Sequence, residues 1–189
     1  QRRLLPRQCP NIPGVALAAR CKPANQVGGD YYDFIPTNHN LTIKGKDSDD
    51  TEANRWAMVI GDVMGKGVPA GLIMTMMRGM LRGEVLHLKS PARILQNLNR
   101  VMYADLDNSS RFITLFYSEY DPQKRILSYS NAAHNPPLWW HAATKTVSRL
   151  DTNGMLIGLE ANSQYENGHI YLEVGDVIIY YTDGLTDAA

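Results

Sequence analysis

The chain is 189 residues long and 44% apolar, with 19 Lys plus Arg balanced by 19 Asp plus Glu. That length suits one domain with a sizeable core, and a formal net charge of zero argues against a nucleic-acid-binding arm or a polybasic membrane anchor. No apolar run approaches a membrane span and no signal peptide opens the chain. Its two cysteines, Cys9 and Cys21, make neither a disulfide scaffold nor a thiolate zinc site, and they read as reduced thiols of a cytoplasmic protein.

Residues 1–13 are basic, punctuated by Pro6, Pro10 and Pro13, and read as a lead-in from an upstream region rather than a core element. With no initiating Met, the sequence reads as a piece of something longer. Residues 15–21 are short and apolar and predict a buried strand, broken at 23–26. In 27–35, VGGDYYDFI, two glycines precede an aspartate and a run of aromatics, a strand composition. A period of two puts Asp30, Tyr32 and Phe34 on one face and Tyr31, Asp33 and Ile35 on the other, so Asp30 and Asp33 are not an acidic pair. Gly28 and Gly29 mark a close backbone approach or a bulge. Residues 36–55 are acidic around Asp47, Asp49, Asp50 and Glu52. This run lacks the central Gly and closing Glu of a calcium loop and reads as a solvated hairpin loop.

The chain is organised around 56–81, WAMVIGDVMGKGVPAGLIMTMMRGML. An apolar strand at 56–60 ends at Gly61 and Asp62. A turn with Gly65, Lys66 and Gly67 follows, and Pro69 suits the first turn of a helix. Leu72, Ile73, Met76, Met77, Met80 and Leu81 fall on one helical face, and the methionines, Met74 included, read as packing. Ser90 is a good N-cap with Pro91 at N1 of a second helix, whose apolar face is Ile94, Leu95, Leu98, Val101 and Met102. Strands are predicted at 112–120, 125–130, 137–141 and 146–150, and a hairpin at 170–174 and 177–181 around Gly175 and Asp176. Eight to ten mostly sequential strands with two adjacent helices indicate antiparallel sheets with helices packed outside them, not an alternating parallel sheet.

Three aspartates share one local grammar. Asp30 follows Gly-Gly at a strand start, Asp62 follows an apolar strand and Gly61, and Asp183 follows VIIYYT and precedes Gly184. Two carboxylates about 4 Å apart repel by roughly 1 kcal/mol in water and about 4 kcal/mol at an effective dielectric near 20. A cluster of them takes up protons or binds a cation. Oxygen ligands without His or Cys favour Mg2+ or Mn2+ over zinc, and a two-metal site activates water and polarises phosphate oxygens. Three separate turn-capping aspartates would leave the same pattern.

Five stretches carry a resemblance: LLPRQCPNIPGVALAARCKPANQVGGDYYDF, MVIGDVMGKGVPAGLIMTMMRG, FITLFYSEYDP, SNAAHNPPLWW and VGDVIIYYTDGLTDA. In this order they resemble the catalytic domain of bacterial RsbU/SpoIIE-type serine phosphatases, a branch of the metal-dependent (type 2C, PPM) protein phosphatases. The resemblance implies an α-β-β-α sandwich (α+β) of two antiparallel sheets flanked by helices, spanning 14–189 and missing its C-terminal part. It implies a centre of two Mn2+ or Mg2+ ions. Asp30 would bind one ion, Asp62 would bridge both, the backbone carbonyl of Val63 would be a further ligand, and Asp183 would bind the other. Water activated there would attack phosphorus in line, with no phosphoenzyme.

The implied substrate is a phosphoserine or phosphothreonine protein, a small STAS-domain anti-anti-sigma factor of a partner-switching stress or developmental pathway. An upstream sensory domain and a homodimer are the implied partners, without nucleic acid. Relatives carry one further metal-binding aspartate, in an Asp-Asp motif on a late strand that this sequence does not reach. His134, in the NAAHNPP loop, reads as a structural hydrogen-bonding residue, Lys66 and Arg20 as solvated cations, and Gly65 and Gly67 as turn residues. A non-catalytic regulatory module of the same fold is the alternative, and a two-metal hydrolase of small phosphoesters is a second.

Overall fold

The computed structural model describes residues 4–21, 28–37, 55–87 and 89–186. The break expected at 23–26, the acidic run at Asp47, Asp49, Asp50 and Glu52, and Asp187 lie outside the described residues. Strands β1 (Tyr31–Pro36), β2 (Trp56–Val63), β3 (Ile113–Asp121), β4 (Ile126–Ala132) and β7 (Gly168–Tyr171) form a five-stranded antiparallel sheet in the order β1-β2-β3-β4-β7. Strands β5 (Leu138–His141), β6 (Thr146–Arg149) and β8 (Val177–Ile179) form a three-stranded one in the order β6-β5-β8. Helices α1 (Gly67–Val85) and α2 (Pro91–Asn108) cover the larger sheet, and a four-residue helix, α3 (Asp183–Thr186), follows β8. Two antiparallel sheets with helices outside is the fold class that the strand count indicated.

Two apolar clusters explain the layering. One joins the helix-facing side of the large sheet (Tyr31, Ile35, Val59, Val63, Leu115, Tyr117) to α1 and α2 through Met74, Met77, Leu81, Leu95, Leu98 and Met102. The other lies between the sheets, where Phe116, Tyr120, Leu127 and Tyr129 meet Trp139, Ile178 and Tyr180. β1 alternates as its period of two requires: Tyr31, Asp33 and Ile35 are buried towards the helices, while Asp30, Tyr32 and Phe34 are half-buried.

The helix faces are partly corrected. α1 starts at Gly67, two residues before Pro69, and buries Ala70, Gly71, Met74, Met77, Leu81 and Val85, while Leu72 is 65% exposed. Apolar residues occur nearly all round this helix, so the sequence admits several faces. The small Ala70 and Gly71 let the helix approach along a stripe next to the expected one. On α2 the Ser90 cap forms, its Oγ accepting from Arg93 N. Val101 is exposed, and Asn99 is buried in its stead, bonded to the 158–161 loop.

Three strand-level expectations also change. Among the described residues, 15–21 form no ladder beyond an Ile12–Val15 bridge. Val15 and Leu17 instead pack their apolar sides onto the inter-sheet cluster. Ile12, expected in a bare lead-in, is 1% exposed and belongs to the same cluster. The turn at Gly175 and Asp176 forms, but its flanking strands make no hairpin: β7 pairs with β4, and β8 pairs with β5 in the other sheet. The chain crosses between sheets there. Asp176 holds the crossing by accepting from Trp139 Nε1 and the backbone N–H of Ala142 and Glu173.

Asp33 is fully buried yet well served. It accepts from Tyr31 Oη, Phe34 N and, bidentately, Arg82 Nε and Nη2 at 2.7 Å each, with Arg78 Nε 3.6 Å away. This pins the last turns of α1 to β1. Arg82→Ala leaves a buried carboxylate with weaker partners, and should lower the unfolding free energy by about 2 kcal/mol. Urea denaturation checks this; a midpoint shift within error would mean that Arg78 takes over.

Candidate metal centre

The three aspartates identified by sequence lie at one end of the gap between the sheets. Antiparallel β1–β2 pairing sets Tyr31 against Gly61, and Val63 N donating to Gly29 O at 3.2 Å carries the ladder two residues further. Asp30 and Asp62 therefore face each other as cross-strand neighbours on the side away from the helices. Asp183 comes from the other sheet, at the exposed start of α3. The hydroxyl of Thr182 lies close enough to the Asp30 carboxylate to favour its charged form, which places the segment carrying Asp183 beside the start of β1.

The electrostatics agree with this proximity. Burial raises the Asp30 carboxyl above its ordinary range, the Thr182 hydroxyl opposes that, and Asp183 adds to it. Asp62 is pushed up to about 6, first by burial and then by the charges of Asp30 and Asp183, against a hydrogen bond from the Val63 backbone. Both surroundings thus disfavour the charged forms of Asp30 and Asp62.

Gly29 gives the arrangement a concave floor. A Cβ placed there would fall 2.2 Å from the Val63 carbonyl oxygen and 2.6 Å from Asp62 Oδ1. Two of the expected ligand oxygens therefore border one small space that only the missing side chain keeps open. The donor set is all oxygen, as a hard divalent cation requires. Among the described residues no three His, Cys, Asp or Glu side chains are drawn close enough to enclose an ion. The residues thus fit a cation in donor chemistry, while their carboxylates stand apart as an open half-shell.

The remaining signals divide. Gly65 and Gly67, at φ 99° and 74°, serve the turn, and Arg111 Nη1 lies over Gly65 while donating to the Met64 carbonyl. Lys66 and Arg20 are exposed. His134 is buried and hydrogen-bonded through both ring nitrogens, as a structural residue is. Thr114 and Thr182 were not anticipated as site residues. Thr182 adjoins Asp183 and could have been weighed, whereas Thr114 looks like any β-branched strand residue.

A family model described as stage II sporulation protein E (SpoIIE) matches residues 52–189. The chain belongs to the SpoIIE family. Within it, this chain is 31% identical over 187 residues to the phosphoserine phosphatase RsbU of Bacillus subtilis, covering 99% of this chain and 51% of the relative. The chain thus spans about half the length of that curated relative. Among solved structures, the RsbU and RsbW domains of a Mycobacterium tuberculosis protein superpose with a TM-score of 0.66 at 24% identity, over 87% of this chain and 41% of that one. RsbX in complex with magnesium gives 0.62 at 18% identity, over 87% and 70%. These likenesses place the SpoIIE fold on the two-sheet architecture described above. Among the described residues no helix is long and apolar enough to cross a membrane.

Proposed function

We propose that residues 14–189, behind a lead-in at 1–13, form the phosphatase domain of a metal-dependent protein serine/threonine phosphatase. The observation that carries this reading is the proximity of Asp30, Asp62 and Asp183 at one end of the inter-sheet gap, where burial first and the neighbouring carboxylates second raise the Asp30 and Asp62 carboxyls. Asp30, Asp62, the Val63 backbone carbonyl and Asp183 would hold the divalent ions. Magnesium in the related RsbX supports Mg2+ or Mn2+ as the ions. When bound, such ions supply Lewis-acid polarisation of a phosphoryl group and a nucleophilic water at neutral pH.

The chain's own residues supply placement. Asp62 sits on β2 and Asp30 immediately before β1, inside the Val63–Gly29 bond that extends the β1–β2 pairing, so that pairing sets their separation. Gly29 keeps the floor beside them clear for a ligand. Asp62, half-charged near pH 6 without a cation, is ready to exchange its proton for one. Family membership and the resemblance to phosphoserine phosphatases support a phosphoserine protein substrate, a STAS-domain anti-anti-sigma factor in a cytoplasmic partner-switching pathway. An upstream sensory domain and a homodimer belong to the same proposal.

Phosphate release from a phosphoserine STAS protein, compared with p-nitrophenyl phosphate in Mn2+ and in EDTA, tests this reading. Turnover of the phosphoprotein should require the metal and exceed that of the small ester. Faster turnover of p-nitrophenyl phosphate would instead indicate a small-phosphoester hydrolase. The open half-shell of carboxylates favours one second reading, a non-catalytic module, and binding of the phosphoprotein without release would establish it.

A further inference from the structure

His134 lies on the chain segment that leaves β4 in the large sheet for β5 in the small one. It is 5% exposed. Asn131 fixes its backbone from both sides: Oδ1 accepts from His134 N, and Nδ2 donates to His134 O, each at 2.9 Å. The ring then spans the gap. Nδ1 is 2.8 Å from Thr114 Oγ1 and Nε2 is 3.1 Å from the Tyr181 carbonyl oxygen. A carbonyl can only accept, so Nε2 carries the proton, and Nδ1 accepts from the Thr114 hydroxyl. Both partners adjoin the carboxylates. Thr114 is the cross-strand partner of Asp62 in the β2–β3 register, and Tyr181 stands two residues before Asp183.

We propose that His134 is a positioning residue: its ring ties the strand position facing Asp62 to the segment carrying Asp183, and so sets the separation of two carboxylates that come from different sheets. This rests on the metal reading above. It goes beyond a structural hydrogen bond, because the bridge joins the two ligand-bearing parts of the site and not merely the two sheets. A second inter-sheet tie separates these roles. Ser118 Oγ and Tyr180 Oη, 2.9 Å apart, also link the sheets, but Ser118 pairs with Met58, four residues along β2 from Asp62. A purely structural account predicts that both ties matter alike.

The test is calorimetric Mn2+ titration and thermal unfolding of the chain and of four variants: Asp62→Asn, His134→Ala, Thr114→Val and Ser118→Ala. Asp62→Asn should abolish tight binding. His134→Ala and Thr114→Val should each weaken Mn2+ affinity by about tenfold or more, the usual cost of losing an outer-shell support. Ser118→Ala should lower the melting temperature and leave the affinity unchanged. If His134→Ala does not fold, Thr114→Val decides. Wild-type affinity in Thr114→Val, or an equal loss in Ser118→Ala, would overturn the positioning role while leaving the metal reading intact. Wild-type affinity in Asp62→Asn would sink the metal reading itself and this proposal with it.

Discussion

Asp62→Asn is expected to stabilise the metal-free chain at neutral pH while removing the proposed metal-dependent hydrolysis. The first half follows from linkage. The folded Asp62 carboxyl is raised to about 6 by burial and by Asp30 and Asp183, whereas in the unfolded chain it titrates near its ordinary value. Between those values the folded state holds more protons, so the contribution of Asp62 to stability falls as pH rises through the window and stays low above it. A shift of about two units corresponds to roughly 3 kcal/mol, and solvent screening of a half-buried group reduces that to about 1 kcal/mol. For a chain of this size that is a gain of about 3 °C for the Asn variant at pH 7.5 in EDTA. His134, held neutral by burial with its ring lowered to about 4, has the opposite slope, because the folded state loses its advantage as pH falls. The quantity to measure is therefore the difference between variant and wild type across pH, in which the contribution of His134 cancels.

The second half follows from charge. An amide keeps the shape of Asp62 but cannot neutralise a divalent ion, so phosphoserine hydrolysis should fall by on the order of a hundredfold or more, the size of losing one fixed electrostatic partner at a reacting centre. Wild-type turnover in the Asn variant would remove Asp62 from the chemistry. An unchanged melting curve in EDTA would mean that its carboxylate is better solvated than its surroundings indicate. Added Mn2+ should raise the melting temperature of the wild type and not of the variant, since a ligand stabilises only the state it binds.

What the sequence disclosed depended on the range of the interaction. The faces of β1 and the cap of α2 are local, set by a period of two and by one hydroxyl at Ser90, and the structure repeats them. Gly-Gly-Asp, Gly-Asp and Asp-Gly marked three aspartates at turns, and these lie near enough for their charges to act on one another. The false hairpin at Gly175 is the instructive failure. Its turn chemistry was right, but whether two strands beside a turn pair with each other depends on which sheet offers each a partner, and β4 and β5 compete from elsewhere in the chain. Leu72 and Val101 failed for a related reason. A helix with apolar residues on several sides chooses its buried face by the shape of the sheet it meets, which no short window contains. Thr114 was silent because its role exists only through a register with Asp62 and a loop bringing in His134.

Gly29→Ala should disable the site more completely than its single methyl group suggests. The glycine is not required by backbone conformation in the way Gly65 and Gly67 are, with their positive φ. It is required by space, since the added Cβ would meet the Val63 carbonyl at 2.2 Å and Asp62 Oδ1 at 2.6 Å. The Asp62 side chain could swing aside, but the Val63 oxygen belongs to a backbone held by the β2–β3 ladder and by its own N–H bond to Gly29 O. Relief must therefore come from parting β1 and β2 at the point where Asp30 and Asp62 face each other. Such overpacking costs typically 1–3 kcal/mol, about 3 to 9 °C in melting temperature for a chain of this length. The movement that relieves it displaces two of the three carboxylates and the carbonyl together, so Mn2+ affinity and phosphatase activity should both be lost even where the variant remains folded. Gly28→Ala is the matched control: its Cβ would find nothing nearer than Asp30 N at 4.0 Å and should leave both properties near wild type. If the two variants bind Mn2+ equally well, the space at Gly29 is not part of the metal centre, and the oxygens of Asp62 and Val63 serve separate ends.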